Sequence, residues 1–104
     1  MSVLLEFSMF PTDKGESVGT YVSKIIEMIR DSGINYQLTP MGTIVETHNI
    51  DDALSLVKQA YEILDKSGCN RIYSSLKFDI RKGKESRLQS KLDSIREKIG
   101  SVNT

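Results

Sequence analysis

The stretch Ile34-Asn35-Tyr36-Gln37-Leu38-Thr39-Pro40-Met41-Gly42-Thr43-Ile44-Val45-Glu46-Thr47-His48 alternates on both sides of a Pro-Met-Gly break. Ile34, Tyr36 and Leu38 fall on one side of the first run, and Asn35, Gln37 and Thr39 on the other. Thr43, Val45 and Thr47 then oppose Ile44, Glu46 and His48. Two short runs of period two joined by a tight turn predict a β-hairpin. Its neighbours on both sides are helical. Upstream, Val18, Val22, Ile25 and Ile29 recur at helical spacing, Tyr21 and Met28 widen the stripe, Ser17 suits the N-cap and Gly33 the left-handed stop. Downstream, Leu54, Val57, Tyr61 and Leu64 form a second stripe, with Ala53 and Ala60 allowing close packing. Asp51 and Asp52 stand in its first turn, where carboxylates oppose the positive end of the helix dipole.

Strands close the pattern at either end. In residues 3–10, Val3, Leu5, Phe7 and Met9 oppose Leu4, Glu6, Ser8 and Phe10. In residues 71–81, Ile72, Ser74, Leu76, Phe78 and Ile80 oppose Tyr73, Ser75, Lys77, Asp79 and Arg81. A last helix from about Ser86 carries a narrow stripe of Leu88, Leu92, Ile95 and Ile99. The order is β-α-β-β-α-β-α, whose first six elements are the ferredoxin-like split βαβ arrangement. An α+β fold is therefore predicted over a single domain, residues 1–104: a four-stranded antiparallel sheet, two helices on one face, and a C-terminal helix.

The face left open by those helices is expected to carry Leu4, Glu6, Ser8 and Phe10 from the first strand and Tyr73, Ser75, Lys77, Asp79 and Arg81 from the fourth. The preferred register adds Asn35, Gln37, Ile44, Glu46 and His48 from the hairpin. Apolar bodies among hydrogen-bonding groups suit either a subunit interface or a ligand site, and equally a wet sheet surface with scattered hydrophobes. The narrow final helix must rest on something, either a second subunit or its own sheet.

Composition removes several classes of function. The chain has 104 residues, with 14 Lys and Arg balancing 14 Asp and Glu. That balance argues against nucleic-acid binding driven by bulk charge and permits self-association. No apolar run approaches the roughly 20 residues of a membrane helix. The start Met1-Ser2-Val3-Leu4-Leu5-Glu6 does not read as a signal peptide. A lone cysteine, Cys69, and a lone histidine, His48, make neither an internal disulfide nor a conventional zinc finger, so the expected compartment is the cytoplasm. Enzyme templates fail as well. There is no Ser-His-Asp order, no Cys-His pair and no glycine-rich nucleotide fingerprint. Acylphosphatases share the element order, but this chain has no Arg before Arg30. RNA-recognition domains share it too, but stack bases on a run of exposed aromatics where this chain offers Tyr73 alone. Neither catalytic residues, a metal site nor a cofactor is expected.

Glu46 is a carboxylate in an otherwise uncharged strand, and a solvated edge charge is the ordinary reading of it. Asp79 and Arg81 lie two apart on one face and can pair with Glu6 or Lys77 across strands. Lys14-Gly15-Glu16-Ser17 reads mainly as the approach to a helix.

Three segments together resemble the thiamine-binding protein family, related to the YkoF-type thiamine and hydroxymethylpyrimidine binders. They are Pro11 with Ser17-Val18-Gly19-Thr20-Tyr21-Val22, the stretch Ser32–Glu46, and Gly68-Cys69-Asn70-Arg71-Ile72 leading to Lys77-Phe78-Asp79-Ile80-Arg81. The most specific part is Pro40-Met41-Gly42-Thr43-Ile44-Val45-Glu46, supported by Asp79-Ile80-Arg81. The resemblance implies a ferredoxin-like homodimer or homotetramer that binds thiamine or its pyrimidine portion without a chemical reaction. It carries over Ser17, Thr43 and Glu46 as ligand-binding residues, with Asp79 and Arg81 behind them; Thr47 stands where the family commonly has glycine. Glu46 can face the ring nitrogens and amine of an aminopyrimidine, and Phe10 or Tyr73 can stack the ring. The alternative is a structural or regulatory oligomeric module without a thiamine ligand.

Overall fold

The computed structural model describes residues 1–16 and 18–104. Four strands, β1 (Ser2–Pro11), β2 (Asn35–Thr39), β3 (Gly42–Thr47) and β4 (Ile72–Arg81), form one antiparallel sheet in the order β2-β3-β1-β4. Three helices, α1 (Gly19–Ser32), α2 (Ile50–Lys66) and α3 (Arg87–Ile99), complete the expected order. The expected ferredoxin-like arrangement with an added C-terminal helix is what forms.

The hairpin turn is pinned by one side chain. The Thr39 hydroxyl accepts from the amides of Met41 and Gly42 and donates to the Gly42 carbonyl, 2.8 Å away. Gly42 runs so close to β1 that a Cβ there would lie 3.2 Å from the Phe7 carbonyl oxygen. Register then follows the preferred reading. Gln37, Ile44, Glu6 and Lys77 align in one row across all four strands, and Asn35, Glu46, Leu4 and Asp79 in the next. Both rows lie on the face away from α1 and α2.

The other face holds the core. Val3, Leu5, Phe7, Met9 and Val45 from the sheet meet Ile25 and Ile29 of α1 and Leu56 and Leu64 of α2. The stripe of α2 is rotated from the expected one: Ala53, Leu56, Ala60 and Leu64 are buried, while Leu54 and Tyr61 are each 48% exposed. The two alanines let the helix backbone approach the sheet, and Leu56 fills the space between them. Asn49 caps α2, accepting from the Asp52 amide at 2.8 Å. Gly33 closes α1 at φ 79°. The N-cap expectation on Ser17 lies outside the described residues; α1 begins at Gly19 after Val18, whose carbonyl accepts from the Val22 amide.

The last helix settles on its own sheet, against the face that α1 and α2 leave open. Its first half supplies the half-buried Leu88 and Leu92, which face Leu4 and Ile44 across a groove. Its second half leaves Ile95 46% and Ile99 71% exposed.

Candidate ligand site

The residues singled out from the sequence divide into two groups on opposite sides of the sheet. Period two dictates this: Thr43 is paired with Phe7 and points to the helices, whereas Glu46 is paired with Leu4 and points to the open face. Within one subunit the two cannot line one pocket.

The Thr43 group lies where the hairpin turn meets the start of α1. A cavity of about 390 Å³ opens there. Thr43, nearly buried, lies along it with Phe7 and Met9 from β1, Val22 and Ile26 from α1, and Met41 at the turn. Phe10 also borders it and touches Tyr73 across β1 and β4, ring centroids 5.7 Å apart and planes tilted by 42°. Among the described residues the lining has no charged side chain; its polar members are Ser8, Thr39 and Thr43. Such a lining suits an uncharged heteroaromatic ring and offers no counter-charge to a phosphate. Met41, 89% exposed, is an adaptable thioether at the rim. Ser17, the third residue carried over with Thr43 and Glu46, lies outside the described residues.

The Glu46 group is a polar clasp that holds down α3. Glu46 is neither at a sheet edge nor fully solvated, since β3 lies between β2 and β1. One of its oxygens accepts from the Ser2 hydroxyl and from the Arg87 amide at 2.8 Å, and the other from the Leu88 amide at 3.2 Å. The carboxylate thus caps the first turn of a helix that has no acidic residue of its own there and whose preceding Ser86 makes no side-chain cap. Arg87, 3% exposed, donates to the Ser2 hydroxyl and carbonyl and to the carboxylate and carbonyl of Asp79. Lys91 takes the second Asp79 oxygen at 3.2 Å. Asp79 therefore pairs with α3, not with Lys77 or a neighbouring strand. Arg81 is exposed and stands opposite Ser2 in register, in neither group.

Burial pushes the Glu46 carboxyl up, but the Ser2 hydroxyl, the two helix amides and the Arg87 charge outweigh it and hold the group below the usual carboxylate range. The Arg87 and Lys91 hydrogen bonds hold Asp79 low as well.

Sequence reasoning missed Ser2, Arg87 and Lys91. The one available signal was Arg87 itself, a cation in the first turn of a helix, where the dipole disfavours it unless an anion is close by. His48 is exposed, and Cys69 is buried and free. The Thr47 hydroxyl donates to the Asn49 carbonyl at the approach to α2, so this side chain has a structural use where glycine is common. Among the described residues no three His, Cys, Asp or Glu side chains gather as metal ligands, and no helix is long and apolar enough to cross a membrane.

Comparison with known proteins returns the same fold and a family. The model of the family described as "Thiamine-binding protein" matches residues 5–96. The UPF0045 protein MJ1052 of Methanocaldococcus jannaschii is 37% identical over 95 residues, covering 91% of this chain and 93% of its own length. A crystal structure of that protein superposes with a TM-score of 0.78 over 92% of this chain and 97% of that one. A domain of unknown function from Bacillus cereus, 28% identical, superposes at 0.80 over 94% and 93% of the two chains.

Proposed function

This chain belongs to the thiamine-binding protein family, and on that footing we propose that it binds thiamine, or the pyrimidine portion of it, as a homo-oligomer and without converting it chemically. The observation that carries this reading is the cavity at the Pro40-Met41 turn. It opens beside the most specific stretch of the resemblance, has room for one heteroaromatic ring system, and places Thr43 and Phe10 along its wall. Thr43 supplies a hydroxyl able to donate or accept at a ring nitrogen or amine, and Phe10, which alternates to the other face of β1, borders the cavity where β1 runs past the end of β3. The uncharged lining favours unphosphorylated ligands. Glu46 and Asp79 belong to the clasp, and for Glu46 to reach a ligand the first turn of α3 would have to lift away. Tyr73 acts through its contact with Phe10.

Support for self-association comes from apolar groups left in water. Ile95 and Ile99 are exposed on α3, and Leu76 and Ile80, each more than 40% exposed, lie on the edge strand β4.

Thermal unfolding with increasing thiamine tests the site. The midpoint should rise with ligand as the logarithm of one plus the ratio of concentration to Kd, and Thr43→Val should flatten that rise. An unchanged midpoint at millimolar thiamine would leave an oligomeric module without a thiamine ligand.

A further inference from the structure

A second cavity, of about 340 Å³, lies on the opposite side of the sheet, between β-strand side chains and α3. Its floor is the row Gln37, Ile44, Glu6 and Lys77, and Leu88 and Leu92 of α3 form its wall. The charges at its α3 end are satisfied internally: Arg87 and Lys91 both pair with Asp79. Glu6 and Lys77 differ. They face one another on antiparallel neighbours, yet among the described residues neither enters an ion pair or a side-chain hydrogen bond. Directly opposed residues have Cα atoms about 4.5–5.5 Å apart, so the two charged ends can bracket a ligand whose two charged groups are joined through a single carbon. Ile44, Leu88 and Leu92 present an apolar surface beside that pair.

We infer that this cavity is a binding site for a small zwitterion with an apolar body, of the class of a free aliphatic α-amino acid. The ammonium group lies against Glu6, the carboxylate against Lys77, and the side chain against Ile44, Leu88 and Leu92. The Gln37 amide borders the same floor and can donate to the carboxylate or accept from the ammonium group. Each ligand charge meets an opposite one, and burial of the aliphatic part supplies the non-directional share of the affinity. The buried Arg87 clasp fixes the wall in place, so the site is formed before the ligand arrives.

The test is a titration of isotope-labelled protein with L-leucine, followed by amide chemical shifts, beside 4-methylpentanoate, which lacks the amine, and 3-methylbutylamine, which lacks the carboxylate. Saturable shifts at Glu6, Ile44, Lys77 and Leu88 are expected, with each single-charge analogue binding at least about tenfold more weakly. Glu6→Gln and Lys77→Met, both at exposed positions, should each weaken leucine by about the same factor and leave the thiamine response at Thr43 unchanged. The inference fails if leucine produces no saturable shift, if 4-methylpentanoate binds as well as leucine, or if neither substitution weakens binding. Thiamine shifts at Thr43 report separately on the other cavity, so either site can fail without the other.

Discussion

Glu46 shows how much one side chain can be asked to do. As a carboxylate in a β-strand it reads from sequence as a surface charge or a ligand contact, and its neighbours along the chain give no third option. In three dimensions it stands beside residues 2, 87 and 88 and terminates a helix. Hydrogen bonds to a charged group are worth about 1.5–3 kcal/mol, so Glu46→Ala should lower unfolding stability by about 2 kcal/mol, measured by urea denaturation. The pH dependence follows from the direction of the shift. A carboxyl held below its unfolded value near 4.3 contributes stability above that pH and loses it as pH falls through the folded value. Acid unfolding of the wild type should therefore carry a Glu46 contribution below about pH 4 that Glu46→Gln removes. A variant whose acid limb matched the wild type would contradict the capping role.

At the scale of elements, the strands and the hairpin register were legible because period two needs only local sequence. The turn was legible because Pro40-Met41-Gly42 interrupts both runs. Gly42→Ala should destabilise by about 1 kcal/mol, since the new Cβ meets the backbone of a central strand, which has little freedom to yield. The placement of α3 was not legible. Leu88, Leu92, Ile95 and Ile99 give a stripe, but a stripe does not say what covers it, and here the first pair rests on the sheet and the second pair is exposed. The rotation of α2 was hidden because Ala53 and Ala60 weigh little in a hydrophobic pattern, although they decide how closely the helix approaches. The separation of Thr43 from Glu46 was latent in their odd spacing along one strand. A motif read as one unit concealed it. Arg87→Ala, which leaves α3 anchored by Glu46, the Lys91–Asp79 pair and two leucines, should increase amide exchange across α3 well before the core strands respond.

The whole molecule is longer than a 104-residue compact domain needs to be. Its radius of gyration is 15.0 Å, against about 13 Å for a chain of this length, with a long axis of 46 Å. Elongation of this kind leaves apolar side chains at the far end of α3, and pairing of subunits would cover them. Ile99→Asp should therefore shift the protein toward monomer in sedimentation velocity without changing its fold. The proposed thiamine site is the cavity at the Pro40-Met41 turn, one of several in the molecule. The direct measurement is the amide chemical-shift map of the labelled protein with saturating thiamine. Shifts centred on Phe10, Val22, Met41 and Thr43 are the predicted result. Shifts centred on Glu46, Leu88 and Lys91 would contradict it, and would move the thiamine site to the α3 side of the sheet.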